Sequence, residues 1–204
     1  MINRLAYKAI IKQGVPKSEI AEAMKTTSFK DAVCAVGVFE FKNSLYIYYE
    51  CLDCELEPET VFSELCGQIE PFPDGERFIR LYDIFHYNKP TEDDSDWARR
   101  QKMTPKATFN RIKPEMLASY IFYHYQYQEE KPGDGNKYGA IYLDGNTLFF
   151  YQEEPCTVEP SRHKGLLDTK NSPQNWGELM SKHFLAWEDC DDEWRKDAEL
   201  LYCR

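Results

Sequence analysis

Apolar and polar positions along this chain recur in short runs, and the period changes between two and 3.6 several times. Leu5 to Lys12 reads as a strand and Ser18 to Lys25 as a short amphipathic helix with Ser18 near its N-cap. Val33 to Lys42 and Leu45 to Cys51 read as strands joined around Lys42-Asn43-Ser44, which suits a hairpin turn. Pro58 to Ile69 reads as a second helix with Val61, Phe62 and Leu65 on its apolar face. After the loop Pro71–Gly75, Arg77 to His86 carries the chain into a last strand or a helix plus strand. A polar stretch from Asn88 to Lys102, holding Pro90, Thr91, Glu92, Asp93, Asp94, Ser95 and Asp96, reads as a linker. Trp97 is its exception, a side chain able to dock the linker onto one half.

The second half repeats this order. Lys106 to Ile112 is expected as a strand and Pro114 to about Gln128 as a helix, followed by the loop Lys131-Pro132-Gly133-Asp134-Gly135-Asn136. Tyr138 to Leu143 and Thr147 to Glu153 form an expected hairpin around Asp144-Gly145-Asn146. Trp176 to about Phe184 is the next helix, and Trp194 to Tyr202 closes the unit. The copies align letter by letter: Gly37 to Phe41 over Gly139 to Leu143, Ser44 to Glu50 over Thr147 to Glu153, and Phe62-Ser-Glu-Leu65 over Trp176-Gly-Glu-Leu179. Each half is thus expected to be a β-α-β-β-α-β, ferredoxin-like unit. Its strands are apolar on both faces, so the sheet face without helices must also be buried. The expected fold class is α+β, two tandem ferredoxin-like units forming an intramolecular dimeric α/β-barrel. Its divisions are 1–88, a linker 89–104, and 105–204.

The net charge of −10 disfavours duplex nucleic acid and anionic membranes as partners. No leader pattern and no apolar run of membrane length is seen, so a cytoplasmic protein is expected. Seven cysteines, an odd number, suggest reduced thiols, and the lone Cys51-Leu-Asp-Cys54 is a poor metal or redox motif. No metal and no cofactor is expected, and nucleotide-binding and serine-hydrolase motifs are missing. The 14 Tyr, 12 Phe and 4 Trp suit a pocket that stacks on a polar ring such as a sugar.

The candidate chemistry lies in Lys106–His124. Met116, Leu117, Tyr120, Ile121 and His124 form one helical stripe, which sets Tyr120 and His124 one above the other on the inward face. A phenol and an imidazole there can bind a hydroxylated ligand and move its protons; an aromatic core stripe with one histidine is the plainer reading. Trp176 offers either a flat face for a sugar or a core anchor, and Glu153 either a second acid/base or a solvated strand end. Glu50 repeats Glu153 in the half without the pair, which favours a structural role for Glu50. His86, His163 and His183 show no ligand spacing, and a helix-surface place is expected for His183.

The second half, about 105–204, resembles the L-rhamnose mutarotase family. Tyr120-Ile-Phe-Tyr-His124 reproduces that family's Tyr-x-x-x-His helix after a strand and a Pro-initiated turn, and Tyr138-Gly-Ala-Ile-Tyr-Leu-Asp144 is similar to its next segment. Asp83-Ile-Phe-His86 is similar to the family's closing strand. The resemblance implies His124 as the acid/base with Tyr120 beside it, and a sugar pocket lined by Tyr120 and Trp176. Tyr142 and Glu153 join Trp176 as expected sugar contacts. Departures are Gly177 where the family has a second Trp, a shorter loop after the helix, and Ile121, Phe122 and Tyr123 at basic positions. Laying Pro16 over Pro114 puts Glu22 and Thr26 at the positions of Tyr120 and His124, which makes the first half a structural partner. The implied function is interconversion of the anomers of a deoxyhexose or related aldose by general acid–base catalysis. A non-catalytic carbohydrate-binding or regulatory protein is the alternative, and an oxygenase-like member of the broad fold would need its own pocket acids.

Overall fold

The structure is a computed structural model that describes residues 1–91, 94–131 and 133–204. Glu92 and Asp93 of the expected linker and Pro132 of the expected loop lie outside the described residues. Along the chain run β1 (Ile2–Ile11), α1 (Lys17–Thr26), β2 (Val33–Phe41), β3 (Ser44–Leu52), α2 (Pro58–Val61), β4 (Ile69–Glu70), β5 (Ile79–Arg80) and β6 (Tyr82–His86). There follow β7 (Thr104–Arg111), α3 (Leu117–Glu130), β8 (Gly135–Asn136), β9 (Ala140–Asp144), β10 (Thr147–Glu154), β11 (Val158–Glu159), α4 (Trp176–Ser181) and β12 (Glu199–Cys203). The fold is α+β with antiparallel sheets. No helix among the described residues is long and apolar enough to cross a membrane.

Two compact units emerge, and neither is a continuous piece of sequence. The first holds residues 1–81, 90–100 and 197–204; the second holds 82–89 and 101–196. In the first unit the sheet order is β12-β2-β3-β1-β4, with β5 also paired to β1. In the second it is β6-β9-β10-β7, and single bridges tie Phe109 to Arg195 and Ile112 to Phe184 beyond β7. The same local order (second, third, first strand) thus recurs in both units. The closing strands are exchanged: β6 leaves the first half of the sequence to pair with β9, and β12 returns from the second half to pair with β2. The expected division at the linker therefore differs from the units that form, because both closing strands find their edge partner in the other half.

The first unit shows why period two writes this sheet. Alternate residues of β1 (Leu5, Tyr7, Ala9, Ile11) and β3 (Leu45, Ile47, Tyr49, Cys51) fall on one face and pack with Ile20 and Met24 of α1 and with Val61, Phe62 and Leu65. The expected helix from Pro58 is only one turn, broken at Phe62 (φ −117°, ψ 38°) and resumed as a 3-10 turn over Ser63–Leu65. Its three apolar residues are buried nonetheless. The other face of β3 is also buried, and it includes Glu50. That carboxylate accepts two bonds from Arg99 (2.7 and 2.9 Å) and one from the Trp97 indole (3.0 Å), so Trp97 does dock the linker on this unit.

The helix register inherited from the prolines needs correction. Ile20 and Met24, both fully buried, are the inward pair of α1, whereas Glu22 is exposed and pairs with Lys25 at 2.6 Å. In the second unit a 3-10 turn, Pro114–Met116, precedes the α-helix, while α1 begins directly after Pro16. Ile20 and Met24 thus hold in α1 the buried i, i+4 places that Tyr120 and His124 hold in α3. The inward face of α1 is therefore hydrocarbon, whereas that of α3 carries polar rings.

Candidate functional site

The site grows from the start of α3. Lys113 is extended (φ −58°, ψ 125°), as a residue before proline prefers, and the chain tightens through the 3-10 turn into the helix at Leu117. One turn on, Tyr120 and His124 stack with ring centroids 4.0 Å apart, 1% and 4% exposed. His124 Nδ1 lies 2.9 Å from the Tyr120 carbonyl oxygen. A carbonyl only accepts, so Nδ1 carries the proton and donates, which leaves Nε2 as the basic nitrogen. Trp176, the first residue of α4, sets its ring edge-to-face on His124 at 4.9 Å, and Phe85 of β6 does the same at 5.3 Å.

These rings wall a cavity of about 620 Å³. Tyr120, Tyr127 and His124 come from α3, Trp176, Gly177 and Met180 from α4, and Phe85 and Ile141 from β6 and β9. Thr108 of β7 and Phe150 and Gln152 of β10 form its floor on the sheet, and Phe184, Glu193, Trp194 and Lys196 complete the lining. Glu193, Lys196 and Gly177 are exposed, so charge is confined to the rim. No protein group among the described residues hydrogen-bonds the Tyr120 hydroxyl or His124 Nε2. Both residues line the cavity, so these atoms are available to whatever occupies it.

Burial sets their protonation. His124 is pulled down to about 4, chiefly by desolvation, against the bond to the Tyr120 carbonyl and with a small push from His183. Burial drives the Tyr120 phenol well above its ordinary range. At neutral pH the pair is therefore imidazole and phenol, a base and a hydrogen-bond donor side by side.

The structure brings three of the five expected site residues together: His124, Tyr120 and Trp176. It does not bring Tyr142 or Glu153 to them. Ile141 and Gln152 face the cavity, so their strand neighbours Tyr142 and Glu153 lie on the opposite face of the sheet. There Tyr142 packs on Phe149 at 5.9 Å, and Glu153, 2% exposed, accepts the Tyr151 hydroxyl at 2.8 Å. His183 is buried rather than on a helix surface; its Nδ1 meets the Leu179 carbonyl (3.0 Å) and its Nε2 the Ser119 hydroxyl (2.7 Å), so both nitrogens are used. His86 bonds Asp83 at 2.9 Å, outside the cavity lining. Groups of His, Cys, Asp and Glu able to hold a metal are not found among the described residues. Thr108 and Gln152 are the polar lining residues that sequence reasoning missed; their place at even spacing on β7 and β10, on the face of Phe150, was the available signal.

No protein-family model matches the chain, and no curated protein matches it. One solved structure is similar to it, a "putative monooxygenase" from Fusobacterium nucleatum, at 12% identity and a TM-score of 0.46 over 99% of this chain and 93% of the other. That likeness bears on neither activity nor substrate.

Proposed function

We propose that the protein is a sugar mutarotase-like isomerase that interconverts the anomers of a deoxyhexose or related aldose, using His124 and Tyr120. One observation carries this reading. A neutral imidazole and a phenol, each with a polar atom that no group among the described residues engages, line the same cavity as a tryptophan face. Ring opening of a hemiacetal needs a proton taken from the anomeric hydroxyl and one given to the ring oxygen. His124 Nε2 takes the first and the Tyr120 hydroxyl gives the second, as the bond from the anomeric carbon to the ring oxygen breaks and a carbonyl forms. Rotation and the reverse transfers close the ring on the other face with no net change in protons. The transient imidazolium and phenolate lie within one ring stack, where their attraction offsets part of the burial cost.

The same reading takes the fold as tandem ferredoxin-like units, with an intramolecular dimeric α/β-barrel as their arrangement, working in the cytoplasm on a small sugar. The recurring strand order of the two sheets supports the tandem. A second reading, a non-catalytic carbohydrate-binding protein, is favoured by the depressed His124: a ring that resists protonation is a better acceptor than a proton shuttle. The test is NMR magnetisation exchange between the α and β anomers of L-rhamnose, with wild type and His124→Ala. Protein-dependent exchange that the variant loses is the expected result. Sugar binding without exchange would give the site to the second reading, and neither binding nor exchange would overturn both.

A further inference from the structure

The floor of the cavity is chemically unlike its walls. Its walls are rings; the floor carries a hydroxyl, Thr108, and a carboxamide, Gln152, on adjacent antiparallel strands. Thr108 pairs directly with Phe150, so Gln152, two residues along β10, is its diagonal neighbour on the same face. Thr108 is 9% exposed, and neither side chain makes a hydrogen bond to another described residue. Nothing in packing requires polar groups there, since Ile141 and Phe150 share that face and Val or Met would fill the same volumes. Thr108 is buried and Gln152 half-buried, and both line the cavity, so their polar groups are directed to whatever occupies it.

We infer that Thr108 and Gln152 are ligand-binding residues, and that the cavity takes a cyclic polyol, binding two neighbouring hydroxyls at the floor while Trp176 and Tyr127 cover the ring. The amide both donates and accepts, and the threonine hydroxyl does the same, so the pair meets vicinal hydroxyls in either donor arrangement. Charge plays no part at this depth, because Glu193 and Lys196 stand at the rim. This inference rests on the sugar reading for the cavity's use, but it concerns recognition rather than proton transfer. The two are therefore separable with a polyol that has no anomeric carbon.

The experiment measures binding of myo-inositol and of L-rhamnose by saturation-transfer NMR titration to wild type, Thr108→Val and Gln152→Met, with thermal unfolding confirming that each variant is folded. Each variant should weaken both ligands roughly five-fold, the loss expected for one hydrogen bond. Indole, a flat apolar probe of the walls, should bind all three proteins alike. Unchanged polyol binding in both variants would overturn the inference and leave the mutarotase reading standing. Polyol binding weakened in the variants, with no anomer exchange by wild type, would uphold the inference and remove the mutarotase reading. No binding of either ligand to wild type would overturn the inference, and no anomer exchange besides would overturn the mutarotase reading as well.

Discussion

His124 can be interrogated by pH alone. Its folded value of about 4 lies below the ordinary 6.5, so between the two the unfolded chain holds a proton that the folded chain does not. Stability therefore falls as the pH drops from about 6.5 to 4 and levels off below, by up to about 3 kcal/mol. Urea unfolding of wild type and His124→Gln at a series of pH values checks this: the wild type should lose the extra increment and the variant should not. If His124 is the base, exchange activity should hold down to about pH 5 and fall through its folded value near 4. Glu50 is the opposite case. Burial would raise it, yet the Arg99 guanidinium and the Tyr48 hydroxyl hold it below the usual carboxylate range. Arg99→Met strands that charge and should cost about 3–5 kcal/mol in unfolding measurements. Lys25→Met, at an exposed pair, should cost under about 1 kcal/mol. Of these residues, Tyr120 and His124 were legible from helical spacing and Trp97 from its incongruity in a polar stretch. Arg99 was not, because an arginine in a polar run gives no sign of the buried carboxylate it meets.

Between residues and the whole stand the hairpins, where one asparagine in each turn makes the same pair of bonds. Asn43 accepts the Ile11 N–H at its carbonyl (3.2 Å) and donates its side-chain amide to the Ile11 carbonyl (3.3 Å). Asn146 does both to Ile112, at 2.8 and 2.9 Å. The hairpins differ in the turn itself. Lys42 and Asn43 both have positive φ (49° and 61°), whereas in the second turn Gly145 takes it (60°). Asn43→Ala should therefore lose the amide bond and strain a left-handed residue, about 2 kcal/mol, against about 1 kcal/mol for Asn146→Ala, read as urea midpoints. Strands and hairpins were legible because period two and turn residues are local signals. The break at Phe62 and the two-residue error in aligning the helices were not. Both depend on how a short apolar run settles on its sheet, and Pro16 and Pro114 look alike although only the second opens a 3-10 turn.

At the scale of the molecule, the exchanged closing strands decide what can be separated. Cutting at the linker would leave the first fragment with β6 unpaired and β2 without β12, and the second fragment with the mirror loss. Fragments 1–103 and 104–204 should each show weak near-UV dichroism and aggregate through open edges, and should regain a folded spectrum when mixed. Lys17 of α1 marks the span involved, since it pairs with both Glu40 and Glu199 (2.6 and 2.9 Å). The strands were legible in the sequence, but the exchange was not, because either closing strand satisfies the same apolar pattern. It also bears on how the chain is made. During translation β2 and β3 emerge early, yet the β2 edge waits for β12, downstream of every other element, and β6 must stay unpaired until β9 appears. Neither sheet is complete on a nascent half-chain, so the first unit remains an open-edged intermediate while the ribosome works through the second. Pairing at such long sequence separation makes the final closure a late, slow step, and it is then that the polypeptide is most exposed to chaperones and to its neighbours.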